Sequence, residues 1–210
     1  NSSRSWSCIS AMNWIYFPDG GGSADVALVG GKAKRLAMLA NQGFRVPPLL
    51  CLTTAAYDSF VDRAGLKERI SLELNRKDLA DMRWEELWDA ALRIKALFRA
   101  APLSSAMRTA VIDAVQGCFQ GAPLVVRSSA PAEDTRAASF AGLHETVVGV
   151  RGGQQLIDAV VTVWASLFSD RALLYRQELG LDSESSSMAV IIQELVASEC
   201  SGIAFTRAPD

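Results

Sequence analysis

In the stretch VVRSSAPAEDTRAASFAGLHET (residues 125–146) a charged side chain, Arg127, closes an apolar run, Leu124-Val125-Val126, and small hydroxylated and flexible residues follow. The pattern predicts a buried strand over Leu124–Val126 with a guanidinium at its end. Taking that group out of water is unfavourable unless it meets an anion, and a bidentate hold on a phosphate or carboxylate supplies one. The plainer alternative is a salt bridge to Glu133 or Asp134 in the loop itself. The end of the stretch, SFAGLHET, adds the hydroxyls of Ser139 and Thr146, and Gly142, whose missing side chain lets a ligand approach the backbone. Together these residues favour an anion site over a purely structural loop.

Outward from this stretch the elements become regular. Downstream come an expected strand at Glu145–Val150, a turn at Arg151–Gly153 and a helix over Gln154–Phe168, with apolar residues from Leu156 to Leu167 at helical spacing. Ser169 or Asp170 caps a further helix ending at Gly180, and two strands follow, Met188–Val196 and Gly202–Thr206. Upstream, Lys32–Gln42 reads as a helix with Gly43 placed for a left-handed cap. The strand LLCL (residues 49–52) comes next, then a helix capped by Thr53 or Thr54 and ended by Gly65. Leu66–Gly121 is a supporting helical segment, with periodicity at Trp84–Ala100 and Leu103–Gln120. Asn13–Phe17 could be a short strand before a Gly-rich connector. The expected fold class is α+β (mixed α/β), with residues 1–22 as tail and connector and 23–210 as one domain.

The totals narrow the function. The chain has 210 residues, half of them hydrophobic, enough for one sizeable core. The 21 basic and 23 acidic residues give a formal charge of -2, which argues against nucleic acid as the main partner, so any anion site must be local. No apolar run reaches the roughly 18 residues of a membrane span, and a secretory leader pattern is missing, so the cytoplasm and no membrane partner are expected. Cys8, Cys51, Cys118 and Cys200 are scattered without a CxxC pair and read as reduced thiols, three of them packed.

Three further features bear on chemistry. VGGKAK (residues 29–34) puts two glycines and Lys32 at a helix N-terminus, where backbone N–H groups and the helix dipole favour an anion such as phosphate. It is not a Walker A loop, which requires glycine where Val26 stands and Ser or Thr in place of Ala33; a glycine turn with a solvated lysine is the alternative. In VIIQELV (residues 190–196) the adjacent Gln193 and Glu194 interrupt an apolar strand, so that one polar side chain points to each face. Either this strand lines a ligand pocket or it is an edge strand, the commoner case. His144 is the only histidine, which excludes a histidine metal cluster, and no metal ligand is assigned. Trp164 and Met188 fall at core spacing.

Four stretches carry a resemblance: LVGGKAKRLAMLANQGFRVPPLLCLTTAAYDSF (28–60), the opening stretch, VWASLFSDRALLYRQELG (163–180) and MAVIIQELVASECSGIAFTR (188–207). In this order they resemble the N-terminal nucleotide-binding region of the pyruvate phosphate dikinase and phosphoenolpyruvate synthase family, from about Asp25 to Arg207. Rifampin phosphotransferases and glucan water dikinases share the module. The resemblance implies an ATP-grasp fold and a phosphotransferase that moves the β-phosphoryl of ATP to a histidine on a swivelling domain, and thence to a substrate such as pyruvate. It implies that Lys32 and Arg127 hold the ATP phosphates and act in catalysis. Gly142 and Thr146 would belong to the loop closing over those phosphates, and Gln193, Glu194 and Leu195 would sit at the adenine, the backbone of the last two as hinge partners. Ala33, Leu143 and Ala208 depart from the family's usual residues. The Mg2+ ligands and the phosphohistidine and substrate domains are expected downstream of Asp210, so the fragment alone is expected to be inactive. A surface left uncovered by the missing half favours self-association, for instance as a homodimer. The alternatives are a non-catalytic nucleotide-binding module, or a relative acting on an antibiotic or glucan.

Overall fold

The computed structural model describes residues 13–18, 25–77, 81–131, 134–135, 138–139, 142–179 and 186–202. Helix formation follows the caps and periodicities read from the sequence. In α1 (Val26–Asn41) the Asp25 carboxylate accepts from the amide of Ala27, and Gly43 follows the helix at φ 84°. Helix α2 (Thr54–Arg63) is capped by Thr53 as expected, and α3 (Leu66–Leu74) starts directly after Gly65. Helices α4 (Trp84–Ala100) and α5 (Ser105–Phe119) lie within the predicted periodic segments. Helix α6 spans Gly153–Ala165 and passes into a 3-10 turn, Ser166–Phe168; the Ser169 hydroxyl then accepts from Ala172 N to start α7 (Asp170–Leu179).

The strands are β1 (Ile15–Tyr16), β2 (Leu49–Leu52), β3 (Leu124–Ser129), β4 (Asp134–Thr135), β5 (Ala138–Ser139), β6 (Thr146–Val150) and β7 (Ala189–Glu194). Five of them form one antiparallel sheet in the order β1-β2-β7-β3-β6, and β4 pairs with β5 as a small hairpin inside what the sequence read as a loop. Two expectations change here. Strand β3 runs on through Arg127 to Ser129, so the arginine lies within the strand and is hydrogen-bonded on both sides rather than standing at its end. Strand β7 is central, between β2 and β3, which excludes the edge alternative for Gln193 and Glu194. The expected strand Gly202–Thr206 and the tail 1–12 lie outside the described residues, apart from Gly202.

The two faces of this sheet differ. Leu50, Leu52, Val126, Val190 and Ile192 face the main core, built with α2, α4, α6 and the 3-10 turn. There Trp164 stacks on Phe60 at 5.2 Å and meets Tyr57 edge-on at 6.0 Å, and its indole N–H donates to Met188 O at 3.1 Å. Trp164 and Met188 are core, as the spacing indicated. On the other face Cys51, Ala189 and Ile191 pack against α1, through Val29 and Ala33, with Tyr16 and Leu49 at the margin. Of the cysteines described, Cys51 is buried, Cys118 partly buried and Cys200 exposed. Among the described residues no helix is long and apolar enough to cross a membrane.

Candidate nucleotide site

The start of α1 is locked to the end of β3. Gly30 breaks the helix with φ 76° and ψ 168°, separating a short N-terminal turn from the helix proper. A Cβ built on Gly30 would lie 2.0 Å from the carbonyl oxygen of Ser129, so the contact and the left-handed backbone both demand glycine. Ser129 completes the junction: its hydroxyl donates to Val29 O at 2.7 Å and accepts from Ala33 N at 3.1 Å. One buried side chain thus satisfies a carbonyl of the first turn and an amide of the second. The Gly31 amide donates to Ala130 O at 3.4 Å. Two amides that an open helix N-terminus would offer an anion are therefore bound to the end of β3 and the residue after it, which puts the weight of any anion contact on Lys32.

Lys32 leaves this junction half-buried, and its ammonium donates to the Ser128 hydroxyl at 3.5 Å, beside Arg127 in the chain. Arg127 is half-buried too, flanked across the sheet by Ile191 on β7 and Thr146 on β6. Because side chains alternate along a strand, Arg127 shares its face with Val125, Thr146, Val148 and Gln193, on the side that α1 only partly covers. The uncovered portion is apolar with a cation in it: Val148 is 62% exposed next to the Arg127–Thr146 pair.

The remaining predicted residues take distinct places. Gly142 is exposed in the turn before β6 with φ 77°, and this turn is tied down where the Ser169 hydroxyl donates to Leu143 O at 3.1 Å. His144 places Nδ1 3.3 Å from Ser166 O, against the helical layer. Gln193 is 6% exposed and donates through its side-chain amide to Pro47 O at 3.2 Å, bracing the approach to β2. The amides of Glu194 and Leu195 donate to Pro48 O and Pro123 O, at 3.0 and 2.9 Å. Glu133 and the side chains of Asp134 and Ser139 lie outside the described residues, so the salt-bridge alternative for Arg127 falls there as well. Among the described residues no group of three or more His, Cys, Asp or Glu could hold a metal ion.

Sequence reasoning passed over Ser128 and Ser129 as mere small residues. The signal was their position: two hydroxyls directly after Arg127, on a strand long enough to carry them up to the glycines of α1.

The profile of the family described as "Pyruvate phosphate dikinase, AMP/ATP-binding domain" matches residues 26–210. The chain is 38% identical over 187 residues to a phosphoenolpyruvate synthase of Aeropyrum pernix, covering 87% of this chain and 23% of that protein. It is 34% identical over 203 residues to a probable phosphoenolpyruvate synthase of Methanothermobacter thermautotrophicus, covering 94% of this chain and 29% of that one. A rifampicin phosphotransferase of a Streptomyces species is 36% identical over 188 residues, covering 89% and 22%. The chain therefore spans about a quarter of the length of these relatives.

Proposed function

The chain belongs to the pyruvate phosphate dikinase AMP/ATP-binding domain family, and from that premise we propose that it is the front part of an ATP-grasp domain in a phosphoenolpyruvate synthase-like phosphotransferase. Residues 23–210 form the nucleotide-binding unit, and ATP lies along the sheet face that α1 leaves open. Lys32 and Arg127 meet its phosphates. The Gly142–Thr146 segment covers them, and Gln193, Glu194 and Leu195 border the adenine. Since the amides of Glu194 and Leu195 are already used within the sheet, the hinge contact there falls to their carbonyl oxygens.

The observation that carries this reading is the junction of Gly30 with Ser129, which brings a lysine from α1 to the serine next to a strand arginine. Two half-buried cations, one on β3 and one hydrogen-bonded to the residue that follows it, suit a polyphosphate, whose transfer depends on positioning and charge compensation more than on covalent help from the protein. The ATP supplies the phosphoryl group. Arg127 stabilises the negative charge that develops on it, and Lys32 orients the chain of phosphates. The acceptor is a histidine on another domain of the parent protein and then pyruvate; Mg2+ is held by residues beyond Asp210, in the cytoplasm. Rifampicin is the second acceptor to test, because phosphotransferases named for it match this chain about as well as the synthases do.

Calorimetric titration with Mg-ATP tests the site. Saturable binding is expected, weakened roughly tenfold or more by Arg127→Ala and by Lys32→Ala, since a charge-assisted contact is worth about 1.5–3 kcal/mol. AMP, without the distal phosphates, should lose much less on Arg127→Ala. Equal losses for both nucleotides would remove Arg127 from the phosphate site.

A further inference from the structure

On the far side of the sheet, between α2, α3 and the 3-10 turn, lies a cleft of about 550 Å³ that the nucleotide reading does not use. This volume falls within the ordinary range of small-ligand sites. Its polar wall carries Tyr57, Asp58, Asp62, Lys67 and Ser187. Its apolar wall is Val61, Ile70 and Phe168. Asp58 and Asp62 stand one turn apart on α2 and so share a face; Lys67 comes from the first turn of α3 and its charge acts on the Asp58 carboxyl.

Tyr57 points to a ligand. The residue is 4% exposed, its ring is held by Phe98 and Trp164, and among the described residues its hydroxyl has no hydrogen-bond partner. A buried phenol normally finds a partner, because leaving it unpaired costs about 1–3 kcal/mol. Burial also pushes its ionisation well above the ordinary phenol range, so the group remains an O–H donor. Asp58 is similarly out of the ordinary: burial raises its carboxyl even though the Ser187 hydroxyl donates to it at 2.9 Å. Among the described residues neither Asp62 nor Lys67 has a salt-bridge partner. The wall thus offers two carboxylates, an ammonium and a phenolic donor beside an apolar floor.

We propose that this cleft binds a free α-amino acid with an apolar side chain, its ammonium group held by Asp58 and Asp62 and its carboxylate by Lys67 and the Tyr57 hydroxyl. The side chain rests on Val61, Ile70 and Phe168. A polyol would leave the charges of both signs unmatched, and a simple amine would leave Lys67 and Tyr57 without an acceptor. The site lies on the opposite face of the sheet from Arg127 and does not depend on the nucleotide assignment.

The amide resonances of the isotope-labelled chain, titrated separately with L-leucine and L-phenylalanine, test the proposal. Saturable shifts confined to α2, the first turn of α3 and Ser186–Ser187 are expected with at least one of them. Tyr57→Phe, which keeps the ring packing, should weaken that binding roughly tenfold, and the exposed substitutions Asp62→Asn and Lys67→Gln should do so to a similar extent. The N-acetylated amino acid and the amino-acid amide, each lacking one charge, should bind more weakly than the parent. Absence of saturable shifts, shifts elsewhere, unchanged affinity in any of the three variants, or equal binding of a blocked probe overturns the proposal.

Discussion

Gly30 illustrates how one residue positions the site. Its φ of 76° is strained for any other L residue, and a Cβ there would also strike the Ser129 carbonyl. Gly43 has φ 84° but open space around it. The two glycines therefore separate backbone strain from collision. Gly43→Ala should cost about 1 kcal/mol of stability, while Gly30→Ala should cost about 3 kcal/mol or more, both read from urea unfolding at constant slope. Gly30→Ala should also displace Lys32 and weaken Mg-ATP binding in whatever fraction stays folded. Equal stability losses for the two variants would mean that the junction with β3 yields easily, and would weaken the case that it aims the lysine. From the sequence the glycines and the lysine were visible as an anion motif, but the serine they needed was a hundred residues away, beyond the reach of any local pattern.

At the scale of elements, helices were legible where their ends were marked. Helix α4 was read over Trp84–Ala100, and its first turn explains why it starts there: the Glu86 carboxylate accepts from the Arg83 amide at 2.8 Å and from Lys77 at 2.9 Å. The Lys77 hydrogen bond, then that of the Arg83 amide, lowers the Glu86 carboxyl to about 2. A carboxyl lowered in the folded state contributes stability above its unfolded value, and this is lost as pH falls toward the folded one. Glu86→Gln should therefore melt below the parent at neutral pH, the gap closing as pH falls from 4.5 to about 2. Melting curves across that window check it, and a gap independent of pH would contradict the assignment. Strand order was less legible. The polar pair in β7 suggested an edge, yet the strand is central because Gln193 is tied to Pro47 O and the Glu194 amide to Pro48 O. Alternation reports which side chains share a face; it carries no information about which strands lie beside them. The β4–β5 hairpin escaped for a related reason, since two-residue strands are too short to show a period.

For the molecule as a whole, the decisive property is the asymmetry of the sheet. One face is sealed by the aromatic and aliphatic core, whereas the other is covered by α1 near Cys51 and Ile191 and open around Val148. A domain whose only task was to fold would bury both faces of such an apolar sheet, so an open strip beside a half-buried arginine is where a ligand or a further part of the protein belongs. Val126 and Val148 test this directly, since Val126 is fully buried in the main core and Val148 is 62% exposed. Val126→Ala should cost about 2 kcal/mol, and Val148→Ala should stay within about 0.5 kcal/mol of the parent. Val148→Glu then separates stability from function. Its carboxylate would share the face and the neighbourhood of Arg127, so it should leave the melting temperature nearly unchanged yet weaken Mg-ATP binding roughly threefold to tenfold, most strongly at low salt. Val148→Lys, of similar length and opposite charge, should not weaken binding. If both substitutions act alike, the effect is steric and says nothing of phosphate. If neither has any effect while Arg127→Ala does, the phosphates lie on the α1 side of the arginine, and the strip around Val148 is left for the adenine.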